Sequence, residues 1–341
     1  MTPARFDEIT DRFRALRVGI VGDFSLDRYF DIDPAREEIS LETKLPVHNV
    51  TRVRCQPGAA GNITANLAAL GANTLWPVGY CGDDGEGFDL RRTLGRVPGV
   101  RLDHFQQTPE RQTFTYSKPL LHRRDQAPEE LSRLDIKNWT PTPVAVEAQL
   151  VASLRTLAPQ LDALVVMDQA GVRDMGAITS GVLAAIANLQ SAYPNLVILA
   201  DSRHGLKNFP PLIYKMNAAE FSHLIGVSPQ DCHMVADISR HADELARQSK
   251  RPVFITMAER GIIGAAPNES AIHVPALAIR GPIDIVGAGD TATATLALAV
   301  AAVATIEEAM QLAQAAASIT VHQVGTTGVA KPADMQKLIF P

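Results

Sequence analysis

The chain alternates short apolar runs with helical patterns, and that alternation admits very few architectures. RVGIVGD at Arg17–Asp23, ALVVMD at Ala163–Asp168, NLVILAD at Asn195–Asp201 and PVFITM at Pro252–Met257 each read as a buried strand. NTLWPVGYCG, from Asn73, reads as another. Between them, NITANLAALGA at Asn62–Ala72 has helical apolar spacing and a glycine stop. Further helices are predicted near Met175–Gln190 and Asp231–Gln248. Continuous apolar strands separated by helices predict an α/β fold, with a mostly parallel central sheet covered on both faces. Ligands bind such sheets beyond the carboxyl ends of the strands. Asp23, Asp168 and Asp201 stand at those ends. Any one of them serves equally well as a helix cap, but three together predict a polar cleft.

Two segments break the alternation. Tyr29–Val53 is polar and ends in LPVHNVTRV, and Leu102–Leu121 contains TFTYSKPLL. Both read as extended excursions without helices, and are predicted to form one small β-rich lid over the cleft. No internal repeat or Pro/Ser linker separates the pieces. The expectation is one domain over residues 1–341, with lid segments at about 29–53 and 102–121.

Composition excludes several classes. Net charge is −5, which argues against a general nucleic-acid surface. Cys55, Cys81 and Cys232 are odd in number and far apart, so neither a disulfide framework nor a zinc site is expected. The N-terminal stretch MTPARFDEITDRFRALR has no apolar signal core, and the apolar run around Ala294–Ala304 is too short to span a membrane. The expected location is the cytoplasm, with no membrane partner.

The chemistry concentrates in DIVGAGDTATATLALAVAA, from Asp284. A helix made only to fill a core has no use for glycines and a carboxylate at its start. Small residues at Gly287, Ala288 and Gly289 let backbone N–H groups converge on an anion, helped by the positive end of the helix. Asp290 beside that anion suits a base taking the proton of a hydroxyl that attacks a phosphoryl group. A plain glycine turn with an Asp in the first helical turn remains the alternative. Dinucleotide binding fits poorly: GAGDTA lacks the third glycine of G-x-G-x-x-G, and Glu307 and Glu308, about 20 positions on, fall in a helical run. No Walker-type phosphate loop occurs.

A second constellation is QPGAAGNITANLAALGA at Gln56–Ala72. Pro57 and Gly58 make a turn, and Asn62 follows at a helix start. Its amide suits a polyhydroxylated ligand, or it serves only as a cap.

Taken together, these stretches resemble the PfkB, or ribokinase-like, carbohydrate kinases, in order along nearly the whole chain. VGDFSLDRYF looks like that family's opening strand with its substrate Asp, here Asp27. PGAAGN resembles its sugar-binding turn, MNAAE at Met216–Glu220 its Asn-x-x-Glu motif, TMAERG at Thr256–Gly261 a nucleotide loop, and DIVGAGDT its anion hole and base. The resemblance implies a ribokinase-like three-layer sandwich and ATP-dependent phosphorylation of a sugar or sugar-phosphate hydroxyl. Asp290 would be the base, and Gly287, Ala288 and Gly289 the anion hole. Asp27, Gly58 and Asn62 would bind sugar, and Thr256, Glu259, Gly261 and Gln314 nucleotide. Asn217 and Glu220 would hold Mg²⁺ through water. Asp284 and the HQVGTTG turn would frame a monovalent cation such as K⁺. Arg203 and Arg124 are candidate phosphate partners, or solvated surface charges. Lids of this family often pair between subunits, which implies a homodimer.

A narrower resemblance is to the heptose 7-phosphate kinases of ADP-heptose synthesis, through GDFSLDRYF, ISLETKLPVHNV, RLD at Arg133–Asp135 and AERG. The nucleotidyltransferase domain often fused in that family is not expected within these 341 residues. Several ligand-facing positions depart from the pattern. Ala59 replaces the second glycine of the sugar turn, with Gly61 where Ala is usual. Val286 stands for Thr, Arg203 for Lys and Gln314 for Asn. MDQAGV at Met167–Val172 replaces Ser-Asp-Tyr-Ala-Lys-Gly and drops its Lys. Kinase chemistry is thus better supported than heptose as substrate. A catalytically weak sugar- or nucleotide-binding regulatory protein of the same fold is the competing reading.

Overall fold

The computed structural model describes residues 1–228, 230–325 and 327–340. Its centre is a nine-stranded sheet. In spatial order the strands are Ile272–Val274, Ile262–Ala265, Val253–Thr256, Ile213–Asn217, Val197–Ser202, Ala163–Asp168, Arg17–Gly22, Thr74–Gly82 and Phe105–Thr108. All neighbouring pairs are parallel except the two at the Ile272–Val274 end.

Strand periodicity builds the layers. Within Ala163–Asp168, Ala163, Val165 and Met167 pack in one apolar cluster, and Leu164 and Val166 in the other. The first cluster takes in the helices Pro3–Arg12, Ala60–Ala69, Ala288–Ala301 and Ile306–Val321. The second takes in Val144–Leu157, Ser180–Ala192 and Val235–Ser249. The result is a ribokinase-like α/β sandwich, helices on sheet on helices. No described helix is long and apolar enough to cross a membrane.

A separate five-stranded sheet forms the lid, with Phe24–Ile32 between Phe114–Leu121 and Val50–Ala59. Leu134–Ile136 and Glu129–Glu130 both pair with Phe114–Leu121. The chain enters the lid one residue after the main-sheet strand Arg17–Gly22 ends, so Asp23 sits at the junction.

The expected lid segments need correction. Leu102–His104 is a 3₁₀ turn, and Phe105–Thr108 runs parallel to Thr74–Gly82 in the main sheet. The reason is apolar burial: Phe105 is 4% exposed and meets the Phe24 ring edge-on at 5.1 Å. Only Phe114–Leu121 of that segment joins the lid, and the pairing of Glu129–Glu130 and Leu134–Ile136 was not anticipated. The helix expected from Met175 begins at Ser180, where Thr179 caps it through the Val182 N–H.

Candidate active site

A cavity of about 1120 Å³ opens between the lid and the carboxyl ends of the parallel strands. The helix Ala288–Ala301 points its N-terminus into it. Gly287 precedes that helix at φ 85°, a conformation glycine adopts freely. No side chain caps this end; the Ala288 N–H donates to the Ile285 carbonyl at 3.3 Å, and the Gly289 and Asp290 N–H groups that follow point into the cavity end of the helix. Glycine is also needed for room: a Cβ on Gly287 would stand 2.9 Å from the Asn62 amide nitrogen.

Asp290 is 7% exposed, and the Asn62 amide donates to its Oδ2 at 2.7 Å. Burial pushes the Asp290 carboxyl up to about 6, against the Asn62 hydrogen bond, which lowers it. At neutral pH it is an ionised, poorly solvated carboxylate, the state a general base needs. Asn62 is itself buried, and the Asn66 amide donates to its Oδ1 at 3.3 Å. Thr291 Oγ1 in turn donates to Asn66 Oδ1 at 2.9 Å. These bonds lock the first turn of the helix Ala60–Ala69 onto the helix that carries Asp290; Asn62 sits inside that turn and does not cap it, the N-cap position being Ala59.

Behind the helix start lies a buried ion pair that sequence reasoning missed. Lys215 Nζ is 2.8 Å from Asp201 Oδ2, and the Thr293 hydroxyl donates to the same oxygen at 2.7 Å. A Cβ on Gly289 would come within 3.2 Å of the Lys215 ammonium, so this cation stands directly against the proposed anion hole. The available signal was a lysine inside the apolar run LIYKM.

Thr256, Glu259, Gly261 and Gln314, the expected nucleotide-side residues, all line the cavity. Gly261 adopts φ +99°, with its Cα facing the Val274 carbonyl too closely for a side chain. Asn217 and Glu220 line it too, but as a capping box. Asn217 Oδ1 accepts from the Ala219 and Glu220 N–H groups, and Glu220 Oε2 accepts from the Asn217 N–H. Burial raises the Glu220 carboxyl.

On the lid side, Asp27 and Gly58 line the cavity, with the Lys118 ammonium 3.0 Å from Asp27 Oδ2. Arg203 also lines it, but Arg124 does not. The Arg124 side chain is 97% exposed and pairs only loosely with Asp125, at 3.8 Å. It lies in the turn between two lid strands, where nothing draws it inward. Lys118, Arg133 and Lys137 supply the lid's cavity-facing cations instead. Asp23 and Asp201 reach the cavity as expected of strand ends, whereas Asp168 stays behind it and accepts from Ser202 Oγ at 2.8 Å. Asp284 also lies off the cavity lining, accepting from the Val286 and Gly325 N–H groups. Thr326 of the HQVGTTG turn lies outside the described residues.

Residues 144–333 match the pfkB family carbohydrate kinases. The chain belongs to this family. The matched region carries Asp290, Lys215 and the loop at Thr256–Gly261, and the class is that of phosphotransferases with a sugar hydroxyl as acceptor. The bifunctional protein HldE of Azorhizobium caulinodans is 30% identical over 315 residues, 92% of this chain. The match spans 62% of that protein's length. Arabidopsis thaliana ribokinase, complexed with ribose and ATP, superposes with a TM-score of 0.70 at 20% identity, over 96% of this chain and 99% of that one. Phosphofructokinase-2 of Escherichia coli, in complex with fructose-6-phosphate, gives 0.68 at 19%, over 95% and 98%.

Proposed function

We propose that the chain is an ATP-dependent kinase for a hydroxyl of a sugar or sugar phosphate, with heptose 7-phosphate as the first acceptor to try. The observation that carries this reading is the 2.7 Å bond between Asn62 and Asp290. It joins the sugar turn to the anion-hole helix across 228 residues of sequence. Asp27, Gly58 and Asn62 orient the sugar. Asp290 takes the proton of the attacking hydroxyl, while the N–H groups at Gly287, Ala288 and Gly289 stabilise charge on the moving phosphoryl group. Lys215 adds positive charge from behind, and Arg203 lies at the cavity edge as a phosphate partner. Thr256, Glu259, Gly261 and Gln314 shape the ATP side.

Mg²⁺ fits this site only through water. Asn217 Oδ1 is occupied by two N–H donors, and the described residues contain no cluster of three His, Cys, Asp or Glu suited to a metal. Asn217 and Glu220 would hold the hydrated ion, which neutralises phosphate charge when bound. Asp284 ties the loop before the anion hole to Gly325, which is where a K⁺ site would form.

The full chain works as one kinase unit in this reading, located in the cytoplasm and paired through its lids. Exposed Ile39, Val47, Val50 and Val53 on the lid segments support that pairing. The test is ATP turnover with ribose, fructose 6-phosphate and heptose 7-phosphate. Sugar or nucleotide binding with no turnover of any acceptor would favour the regulatory reading.

A further inference from the structure

The chain passes between the main layers and the lid four times. Asp23 is the first crossing, the step from Ala59 to Ala60 the second, residues 109–113 the third and residues 137–143 the fourth. All four are tied, directly or through Asp23, to one strap of the main body. This strap, residues 169–179, links the strand Ala163–Asp168 to the helix Ser180–Ala192. We infer that Asp23 and Asp168 share one proton and act together as positioning residues, seating the strap so that it holds the lid over the cavity.

The ties are specific. Asp23 Oδ2 accepts from the Gln169 and Ala170 N–H groups at 2.8 and 2.7 Å, and Oδ1 accepts from the Ala177 N–H at 2.6 Å. The Ala60 N–H donates to the Asp23 carbonyl at 3.0 Å, which hangs the second crossing on the first. At the third, the Arg111 guanidinium donates to the Met175 carbonyl at 2.6 Å and to the Thr140 carbonyl at 3.0 Å. At the fourth, Thr142 donates its N–H to the Asp174 carbonyl at 2.8 Å and its hydroxyl to the Gly176 carbonyl at 2.7 Å. Arg111 is 5% exposed, so the fastening between the third crossing, the fourth and the strap is buried.

Parallel register sets the two carboxyl groups side by side. Gly22 is opposite Met167, so Asp23 and Asp168 are the next residues of neighbouring strands. Two carboxylates so close and so poorly solvated do not both ionise without cost. Three N–H donors on its two oxygens keep the charge on Asp23. Asp168 has one side-chain donor among the described residues, the Ser202 hydroxyl at 2.8 Å, so the shared proton resides there. Burial, and then the Asp23 charge, push the Asp168 carboxyl up to about 7. Burial also raises Asp23, against its three N–H bonds. Arg173 and Asp174 of the strap face Asp168 with opposite signs, and His204 faces Asp23. The Tyr80 and Tyr116 phenols also feel Asp23 and stay neutral, because burial raises both.

The sign follows. Asp168 holds its proton more tightly in the seated strap, at about 7, than in the open chain, at 3.8. The seat is therefore tightest below about pH 4 and loosens as pH rises to about 7, where the change levels off. One proton lost per opening makes the opening equilibrium grow by about tenfold per pH unit within that window.

The test is hydrogen exchange of the full chain from pH 5 to 8, corrected for intrinsic exchange. Protection of the Gln169, Ala170 and Ala177 amides should fall by about tenfold per pH unit and level off near pH 7. Peptides over residues 109–113 and 137–143 should follow, and the helix Val235–Ser249 should not. Asp168→Asn, which imitates the protonated acid, should flatten the profile. A flat profile in the unaltered chain, or the same slope in Asp168→Asn, would overturn the inference. If that variant does not fold, Ser202→Ala decides: loss of the hydroxyl donor should move the levelling-off above pH 7, and an unmoved one refutes the shared proton. A second arm rests on the kinase reading. At pH 8, Asp168→Asn should lower the acceptor KM by up to about tenfold, the weight of one pKa unit of repulsion, with the ATP KM unchanged. An acceptor KM equal to that of the unaltered chain would remove the positioning role. No turnover of any acceptor would sink the kinase reading alone, and the exchange profile would still decide the shared proton.

Discussion

Asp290→Asn keeps the shape of the helix start and removes its basic site. An asparagine there can still accept the Asn62 amide hydrogen bond through its carbonyl, so the lock between the two motifs survives. General-base catalysis contributes ~10²–10⁴-fold, which sets the expected fall in turnover. At ~1.36 kcal/mol per tenfold, that is about 2.7–5.5 kcal/mol of transition-state stabilisation. Stability should move the other way. Burial raises the Asp290 carboxyl from 3.8 to about 6, a difference of 2.2, so keeping it ionised at pH 7 costs the fold about 3 kcal/mol. The folded state holds its proton more tightly than the unfolded one, so this penalty grows as pH rises from about 4 to about 6. The variant should lose that pH dependence and be more stable at pH 7, by an amount on the order of 3 kcal/mol. Activity of the unaltered chain should fall as pH drops through about 6, because the protonated acid cannot act as a base. Steady-state kinetics, ATP titration and denaturant unfolding from pH 4 to 8 measure all of this. Turnover within tenfold of the unaltered protein, in a folded variant, would eliminate Asp290 as the base. Lost turnover together with lost stability would make Asp290 a structural residue of the helix start.

Three further outcomes follow from single positions. Gly58→Ala should raise the acceptor KM about tenfold with ATP affinity unchanged, because its Cβ intrudes on Ser25 and Asp27; equal KM values would contradict that crowding. Ala59→Gly should stabilise the fold by about 1 kcal/mol, since Ala59 is held at φ 52°, ψ −119°, and relief of ~1–3 kcal/mol of strain outweighs the added freedom of the unfolded chain; a lower denaturant midpoint would refute the strain. Lys215→Met should destabilise by about 3–5 kcal/mol by leaving Asp201 buried without its counter-ion, and adding Asp201→Asn should restore much of this in the same unfolding assay.

Much of the fold was legible locally. Strands at Arg17–Gly22, Ala163–Asp168 and Val197–Ser202 declare themselves because a strand buried on both faces must be apolar throughout. The helix start at Ala288 was readable because glycine at φ 85° and small first-turn residues are local requirements. Segments lacking those signals were misjudged. Phe105–Thr108 looked like lid until its phenylalanine found the core, and the two residues Glu129–Glu130 are too short and too polar to show a strand period. Charge was the least legible property. Arg124 and Arg133 are both arginines in the same polar stretch, yet only Arg133 reaches the cavity, because it directly precedes the strand Leu134–Ile136, which pairs with Phe114–Leu121, while Arg124 sits in the turn. The sequence by itself determined the layered α/β architecture and the glycine-led helix start at Ala288, since these depend on neighbours within a few positions. Only the tertiary structure decided that Asn62 meets Asp290 and that Lys215, paired with Asp201, stands against Gly289. Those contacts join residues brought together by packing of the whole chain, and no local pattern encodes them.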